Sequence, residues 1–272
     1  MNNTVVITGG AGGMGLATAR ILGRENHLIL CDLNQKNLDA ALAELRQLDI
    51  SCDAKICDIS DPLSVSALVK FAAESGRISA VVHTAGISPQ MADAKTIIKV
   101  NALGTINLVN GFYSVATENF AIVNVASMAA HAVPSIVIPT RAYPAAFSSP
   151  ETLAKKLTAR AHLMPKEFYR RGMAYAISKH FVIWYSKASA AKFGAKGARI
   201  LSVSPGTFNT EMGKLEEKSG AMKMLDHAAL KRPGRPEEMA ELLAFCASEK
   251  ASYLTGVDIL CDGGVIASMR PK

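Results

Sequence analysis

The stretch VITGGAGGMGLATARIL, from Val6 to Leu22, decides how the chain is read. Five glycines fall within the seven residues Gly9 to Gly15, between a β-branched run and an Ala/Leu-rich run. Glycine loses more freedom on ordering than any other residue, so such a cluster marks a place where something approaches the backbone closely. Strand, glycine turn, helix is the arrangement that holds a pyrophosphate. Gly9 allows the tight turn, Gly12 and Gly13 admit phosphates beside Met14, and Gly15 lets the helix pack on the strand. The helix N-terminus adds N–H donors and positive potential. The spacing Thr8-Gly9-x-x-x-Gly13-x-Gly15 is one residue wider than the common dinucleotide fingerprint. A glycine-rich turn with no ligand is the plainer alternative.

Outward from this stretch, strands and helices alternate. Strands are expected at Val5–Thr8, His27–Cys31, Cys52–Cys57, Ala80–His83 and Ala121–Val125. Helices are expected at Gly13–Arg24, Asn37–Leu48, Pro62–Ser75 and Ile97–Tyr113. Alternation at this pitch signals an α/β fold with a doubly wound parallel sheet, Rossmann-like. The pattern breaks between His131 and Arg171, which hold five of the eleven prolines. It resumes with a helix at Met173–Phe193, a strand at Arg199–Val203, a helix at Pro236–Ser248 and a strand at Val257–Cys261. One domain over 1–272, with an insertion at about 131–171 before the helix at Met173 and a loop at about 207–232, explains this better than two domains.

The 272 residues are 49% hydrophobic and only 6% aromatic, which suits a sheet of small aliphatics covered by helices. Net charge is +7, but the basic residues are scattered and no basic-aromatic pattern suggests nucleic acid. Five cysteines at 31, 52, 57, 246 and 261 make no metal-ligand spacing, the six histidines show no paired spacing, and no metal is expected. No signal peptide and no membrane-length apolar span is read, so a cytoplasmic location is expected.

Asp32 closes the second strand, 17 residues after Gly15. A carboxylate there can accept from the ribose hydroxyls of NAD and would repel the 2′-phosphate of NADP, so NAD is the expected cofactor. Its alternative role is a turn cap. In Tyr175-Ala-Ile-Ser-Lys179 the phenol and the ammonium lie on one helix face. A neighbouring cation favours the phenolate, which suits acid/base work. Such a pair also arises by chance on surfaces. Ser127 follows the fifth strand, and ends of strands are where such sheets place ligands.

With these residues assembled, the chain resembles the short-chain dehydrogenases/reductases of the conventional type over nearly its full length. Thr8–Gly15 is similar to the family's glycine loop and Asp58-Ile59 to its adenine-contacting pair. His83-Thr84-Ala85-Gly86 stands where the family usually has two asparagines before Ala-Gly. Asn101, Ser127, Tyr175 and Lys179 match its catalytic tetrad. Pro205-Gly206-Thr207-Phe208-x-Thr210 resembles its nicotinamide-side loop. The resemblance implies Tyr175 as general acid/base, Ser127 bonded to the same substrate oxygen, and Lys179 holding the nicotinamide ribose. It implies Asn101 in a proton relay to Lys179. Leu33, beside Asp32, joins the expected cofactor contacts. The departure at His83 and Thr84 suggests that this loop uses its backbone toward adenosine, with His83 structural.

The 48 residues from Ser127 to Tyr175 exceed the family's usual gap, and this long insert resembles the bacterial 3α-hydroxysteroid dehydrogenase/carbonyl reductase subgroup. So does the tail DGGVIASMRP. That subgroup implies bulky apolar ketones and secondary alcohols. In the insert, Leu153, Leu157, Ala161, Met164 and Phe168 are spaced as one apolar helical stripe, with Pro165 a possible kink. It reads as a helix packed on its own domain, a lid, or a subunit contact. Phe208, Met212, Leu215, Met222, Met224 and Leu225 give the loop after Gly206 an adaptable apolar surface. Lys214, Lys218 and Lys223 leave an anionic substrate open. The expectation is an NAD-dependent oxidoreductase for apolar alcohols or ketones, including hydroxysteroids, working as a homodimer or homotetramer. The rivals are a reductase of carrier-bound 3-oxoacyl chains and a non-catalytic NAD-binding sensor.

Overall fold

The computed structural model describes residues 3–217 and 221–269. The chain begins β1 (Thr4–Thr8), α1 (Gly13–Leu22), β2 (His27–Asp32), α2 (Gln35–Gln47), β3 (Cys52–Ile56), α3 (Pro62–Glu74) and β4 (Ile78–His83). Helix α4 (Ala94–Ile98) passes through a π-helical stretch, Lys99–Leu103, into α5 (Gly104–Val115), followed by β5 (Ala121–Val125) and the short α6 (Ala129–Ala132). Two 3₁₀ stretches, Ser135–Val137 and Thr140–Phe147, lead to α7 (Pro150–His162) and the long α8 (Glu167–Gly194). The chain closes with β6 (Arg199–Pro205), α9 (Glu211–Glu217), a 3₁₀ stretch Ala221–His227, α10 (Pro236–Ala247), β7 (Asp258–Cys261) and α11 (Val265–Met269).

The strands form one parallel sheet in the order β3-β2-β1-β4-β5-β6-β7. After β3 the chain returns to the other side of β1, so the order reverses between β1 and β4. At such a point the loops leaving the carboxyl ends diverge and leave a crevice. Side chains of one strand alternate between faces. Val6 and Val81 join a core with Leu68, Ile97, Phe112 and Phe181 of α3, α4, α5 and α8. Val5, Ile7 and Val82 join a second core with Ala19, Leu38 and Leu243 of α1, α2 and α10.

Local chemistry sets the helix starts. The Asn34 side chain accepts from Asn37 N, Asp61 from Leu63 N ahead of Pro62, and Asp93 from Thr96 N. Strand and helix ends fall within a few residues of expectation, with three informative differences. The helix expected at Ile97 starts at Ala94, where Asp93 caps it, and carries the π-helical turn around Asn101. The helix expected at Met173 starts at Glu167. The single stripe from Leu153 to Phe168 is therefore two pieces. Leu153, Leu157 and Ala161 are fully buried on α7, which ends at His162; Met164 lies in the turn with Pro165, and Phe168 sits 55% exposed on α8 against the Tyr169 ring. Pro165 ends the stripe rather than kinking one helix.

Candidate active site

The crevice at the reversal is built from the ends of β1, β2, β4, β5 and β6. Gly9 and Gly13 have φ of +63° and +51°, which L side chains rarely adopt. A Cβ at Gly15 would collide with the Gly9 carbonyl, so α1 can approach the strand only with glycine there. Beside Gly12 a Cβ would meet nothing within 4 Å, and Gly12, the N-cap of α1, gives no side-chain cap. The first N–H groups of α1 thus face open space. Met14 packs on the second core, while Thr210 from the loop after β6 lies 3.6 Å from a Cβ built on Gly13.

Asp32 ends β2. Its Oδ1 accepts from Leu33 N (2.8 Å) and Asn34 N (3.3 Å), so it does cap the turn. Oδ2 makes no hydrogen bond among the described residues. Leu33 is 65% exposed beside it. Asp58 caps its own turn through Ser60 N, and Ile59 is buried against Gly104.

The loop after β4 is held from two sides. Thr84 donates to the Thr8 carbonyl (2.7 Å), and Ala85 N donates to Thr8 Oγ1 (3.2 Å), so both hydroxyls tie this loop to the end of β1. His83 is buried and bonded through Nδ1 to Thr8 Oγ1 (2.7 Å) and through Nε2 to Thr105 Oγ1 (3.2 Å). Thr105 spends its own proton on the Asn101 carbonyl, so Nε2 is the protonated nitrogen and Nδ1 accepts from Thr8. Burial, then the Lys179 charge, push the imidazole pKa down to about 3. His83 is a neutral structural strut.

Asn101 sits on the π-helical turn and is buried. Its Oδ1 accepts from Ile87 N (2.9 Å), and Nδ2 donates to the Ile87 carbonyl (3.0 Å) and to Ser178 Oγ (3.2 Å). Ser178 in turn donates to the Tyr175 carbonyl. One amide therefore pins the Ala85-Gly86 loop to the helix that bears Tyr175. Extra turns of this kind recur where a helix must re-aim a side chain. Lys179 is only 6% exposed; its Nζ donates to the Val125 carbonyl at the end of β5 (2.8 Å) and stands 5.9 Å from the Tyr175 ring centre. A Cβ on Gly86 would lie 3.1 Å from Asn101 Oδ1 and 3.3 Å from Lys179 Nζ, so both groups flank that glycine. Ser127 is buried just beyond β5, its Oγ accepting from Ala129 N (3.2 Å). Tyr175 is half-buried on α8.

The loop after β6 completes the crevice. Gly206 lies so close to Asp262 that a Cβ would come within 2.6 Å of its Cα. Pro205 accepts from Met128 N through its carbonyl, tying this loop to the Ser127 segment. Thr207 Oγ1 is buried with no hydrogen-bond partner. Phe208, expected among the cofactor contacts and the apolar loop residues, instead buries its side chain in the second core over Gly234. Met224 and Leu225 pack with Met128, Val265 and Ile266 beside the crevice. Met212 and Leu215 lie on α9, and Lys214 is bonded to Glu211 (2.6 Å). Lys218 and the side chains of Met222 and Lys223 lie outside the described residues, as do Arg270 and Pro271 of the tail.

Sequence reasoning missed one cluster. Asp258 on β7, with its side chain 3% exposed, accepts from Ser202 Oγ (2.6 Å) and Ser204 Oγ (2.9 Å) and pairs with His131 Nε2 (2.8 Å). A buried carboxylate needs such donors. The pair ties the edge strand to α6, directly after Ser127. Its partners stand 127 residues apart, and no local pattern signals it.

A family model described as short chain dehydrogenase matches residues 3–159, and one described as Enoyl-(Acyl carrier protein) reductase matches residues 164–266. The chain belongs to the short-chain dehydrogenase family. A short-chain dehydrogenase/reductase of Alternaria brassicicola is 28% identical over 98% of this chain and 97% of its own length. A 3-oxoacyl-[acyl-carrier-protein] reductase of Thermotoga maritima is 27% identical over 96% of each chain. The crystal structure of levodione reductase superposes with a TM-score of 0.77 over 97% of this chain and 98% of its own, at 24% identity. The protein is thus an oxidoreductase of a fold that binds a nicotinamide cofactor. Among the described residues no helix is long and apolar enough to cross a membrane, and no cluster of His, Cys, Asp and Glu could hold a metal ion.

The residues present fit a dinucleotide. Open space over Gly12, uncapped α1 amides and the unpartnered Thr207 hydroxyl lie along one crevice. A buried polar atom without a partner is rare enough to point to a missing ligand.

Proposed function

We propose that this protein transfers hydride between NAD(H) and an apolar secondary alcohol or ketone, hydroxysteroids included, in the manner of the bacterial 3α-hydroxysteroid dehydrogenase/carbonyl reductases. The observation that carries the reading is the buried Lys179 ammonium, held at the end of β5 and one helical turn from Tyr175, with Asn101 locking the helix to the Gly86 loop.

Bound NAD supplies the hydride acceptor. The glycine loop and α1 would hold its pyrophosphate, Asp32 the adenosine ribose, Asp58, Ile59, Ala85 and Gly86 the adenosine side, and Pro205 to Thr210 the nicotinamide side. Phe208 contributes there through backbone only, since its ring is in the core. Tyr175 takes the proton from the substrate hydroxyl, or returns it to the ketone oxygen. The neighbouring ammonium favours the phenolate. Ser127 bonds the same substrate oxygen and fixes it on the phenol. Lys179 also holds the nicotinamide ribose, and Asn101 keeps a proton path open to it. Met224, Leu225 and Met128 supply an apolar wall for the substrate. A cytoplasmic homodimer or homotetramer is part of the proposal.

Asp32 favours NAD on charge: its unbonded Oδ2 would meet a 2′-phosphate with like charge. The carrier-bound acyl reading draws on the Thermotoga maritima relative. A panel of cyclic and steroidal secondary alcohols, each with NAD or NADP and followed by reduced-nicotinamide absorbance, tests the choice. Turnover with NAD on apolar alcohols is expected. Turnover confined to NADP and 3-oxoacyl thioesters would replace the proposal, and silence across all arms would favour the sensor.

A further inference from the structure

Residues 131–171 hold seven Lys and Arg against two Glu, so this stretch carries five of the seven net positive charges of the chain. Three of these cations, Arg141, Lys156 and Arg160, line one groove of about 790 Å³ formed by the two 3₁₀ stretches and α7. No acidic residue lines it, and among the described residues none of the three pairs with a carboxylate within 4.0 Å. Arg160 is braced by its Nε, which donates to the Val137 carbonyl (2.9 Å). Lys156 and Arg160 lie four apart on α7 and share a face. The adjoining face, Leu153, Leu157 and Ala161, is fully buried and fixes the helix on the domain. Its apolar lining is unusually open: Ile136 is 88% exposed and Leu163 66%. No tetrad residue lines it.

Ordinary surfaces interleave both signs of charge. Here cations without acids stand over exposed aliphatic side chains in a concavity of the size that takes small organic ligands. We infer that this groove is a second binding site, for a free organic acid with an apolar body. The carboxylate is held by Arg141, Lys156 and Arg160, and the hydrocarbon lies on Ile136 and Leu163. A soluble molecule rather than a bilayer is the occupant because Ile136, on the first 3₁₀ stretch, and Leu163, just after α7, line one concave groove together with the cations.

The test is calorimetric titration of the full-length protein with decanoate below its micelle concentration, beside decanol and inorganic phosphate. Saturable decanoate binding is expected, at least about tenfold tighter than either control, since a charge-assisted contact and apolar burial both contribute. Arg141→Gln with Lys156→Gln, both at exposed positions, should weaken it about tenfold or more. Ala159→Leu, exposed on the groove wall, should intrude on the groove and weaken binding with the fold intact. The single tryptophan, Trp184, stands 5.3 Å from Tyr143 and 5.9 Å from Phe147 of the Thr140–Phe147 wall, so its fluorescence should follow the same isotherm. Equal binding of decanol or of phosphate, an unaffected Ala159→Leu, or binding seen only with anionic phospholipid vesicles would each overturn the inference.

Discussion

Lys179 and Lys156 carry the same charge in two regions that treat it oppositely. Lys179 is 6% exposed, bonded to the Val125 carbonyl and set against the Tyr175 ring. Lys156 stands in the open on α7, with no carboxylate beside it among the described residues. Burial removes water that would otherwise screen the charge, so the first acts strongly on one neighbour. The second acts on whatever arrives from solution and is weakened by salt. The crevice locks its cation in place; the 131–171 groove presents its cations to solvent.

That contrast can be broken by substitution. Lys179→Met should lower kcat about 100-fold or more with a smaller change in KM for the alcohol, as expected for a group acting on the acid/base step. Steady-state kinetics with NAD in excess reads the split; an unchanged kcat would make the two lysines equivalent. Asp32→Asn should weaken NAD binding by about 10-fold and narrow the preference over NADP, checked by titration of both cofactors. Lys156→Gln should leave kcat and KM unaltered.

Stability divides the regions differently. Leu157→Ala on α7 should cost about 2–5 kcal/mol in chemical denaturation, because Leu157 is fully buried, yet spare the kcat of the folded fraction. A fall in kcat of the same order would mean that α7 shapes the crevice.

A smaller effect follows from His83. Its folded pKa of about 3 lies below the unfolded value near 6.5. Below pH 6.5 the unfolded chain binds a proton that the native chain refuses, so stability falls as pH drops from about 6.5 toward 3 and the slope ends there. The His83 ring signals should stay at their neutral positions at pH 5 in nuclear magnetic resonance; titration near pH 6 would show that water reaches the ring.

Sequence reading reached further in the crevice than in the groove, for physical reasons. Gly9, Gly13 and Gly15 announce themselves because backbone conformation and contact forbid anything else. Tyr175 and Lys179 share a helix face, so their spacing alone brings them together. Asn101 was legible as a residue, but its clasp on Ile87 and Ser178 depends on a π-helical turn that no periodicity reveals. The apolar spacing of Leu153, Leu157 and Ala161 was legible, whereas its extension to Phe168 ignored that Pro165 stops the helix and a new one starts at Glu167. Phe208 reads as a cofactor contact from its place in the Pro205–Thr210 motif; only the folded chain shows the ring turned into the core over Gly234. His131 with Asp258 is a contact across the sheet edge and leaves no local trace.

The most direct measurement compares the wild-type protein with Tyr175→Phe, in NAD binding and in alcohol oxidation followed by reduced-nicotinamide absorbance. NAD affinity is expected within about threefold of wild type and turnover reduced by about 100-fold to 10,000-fold, the usual worth of a positioned acid/base. Undiminished turnover in Tyr175→Phe would contradict the acid/base role of Tyr175.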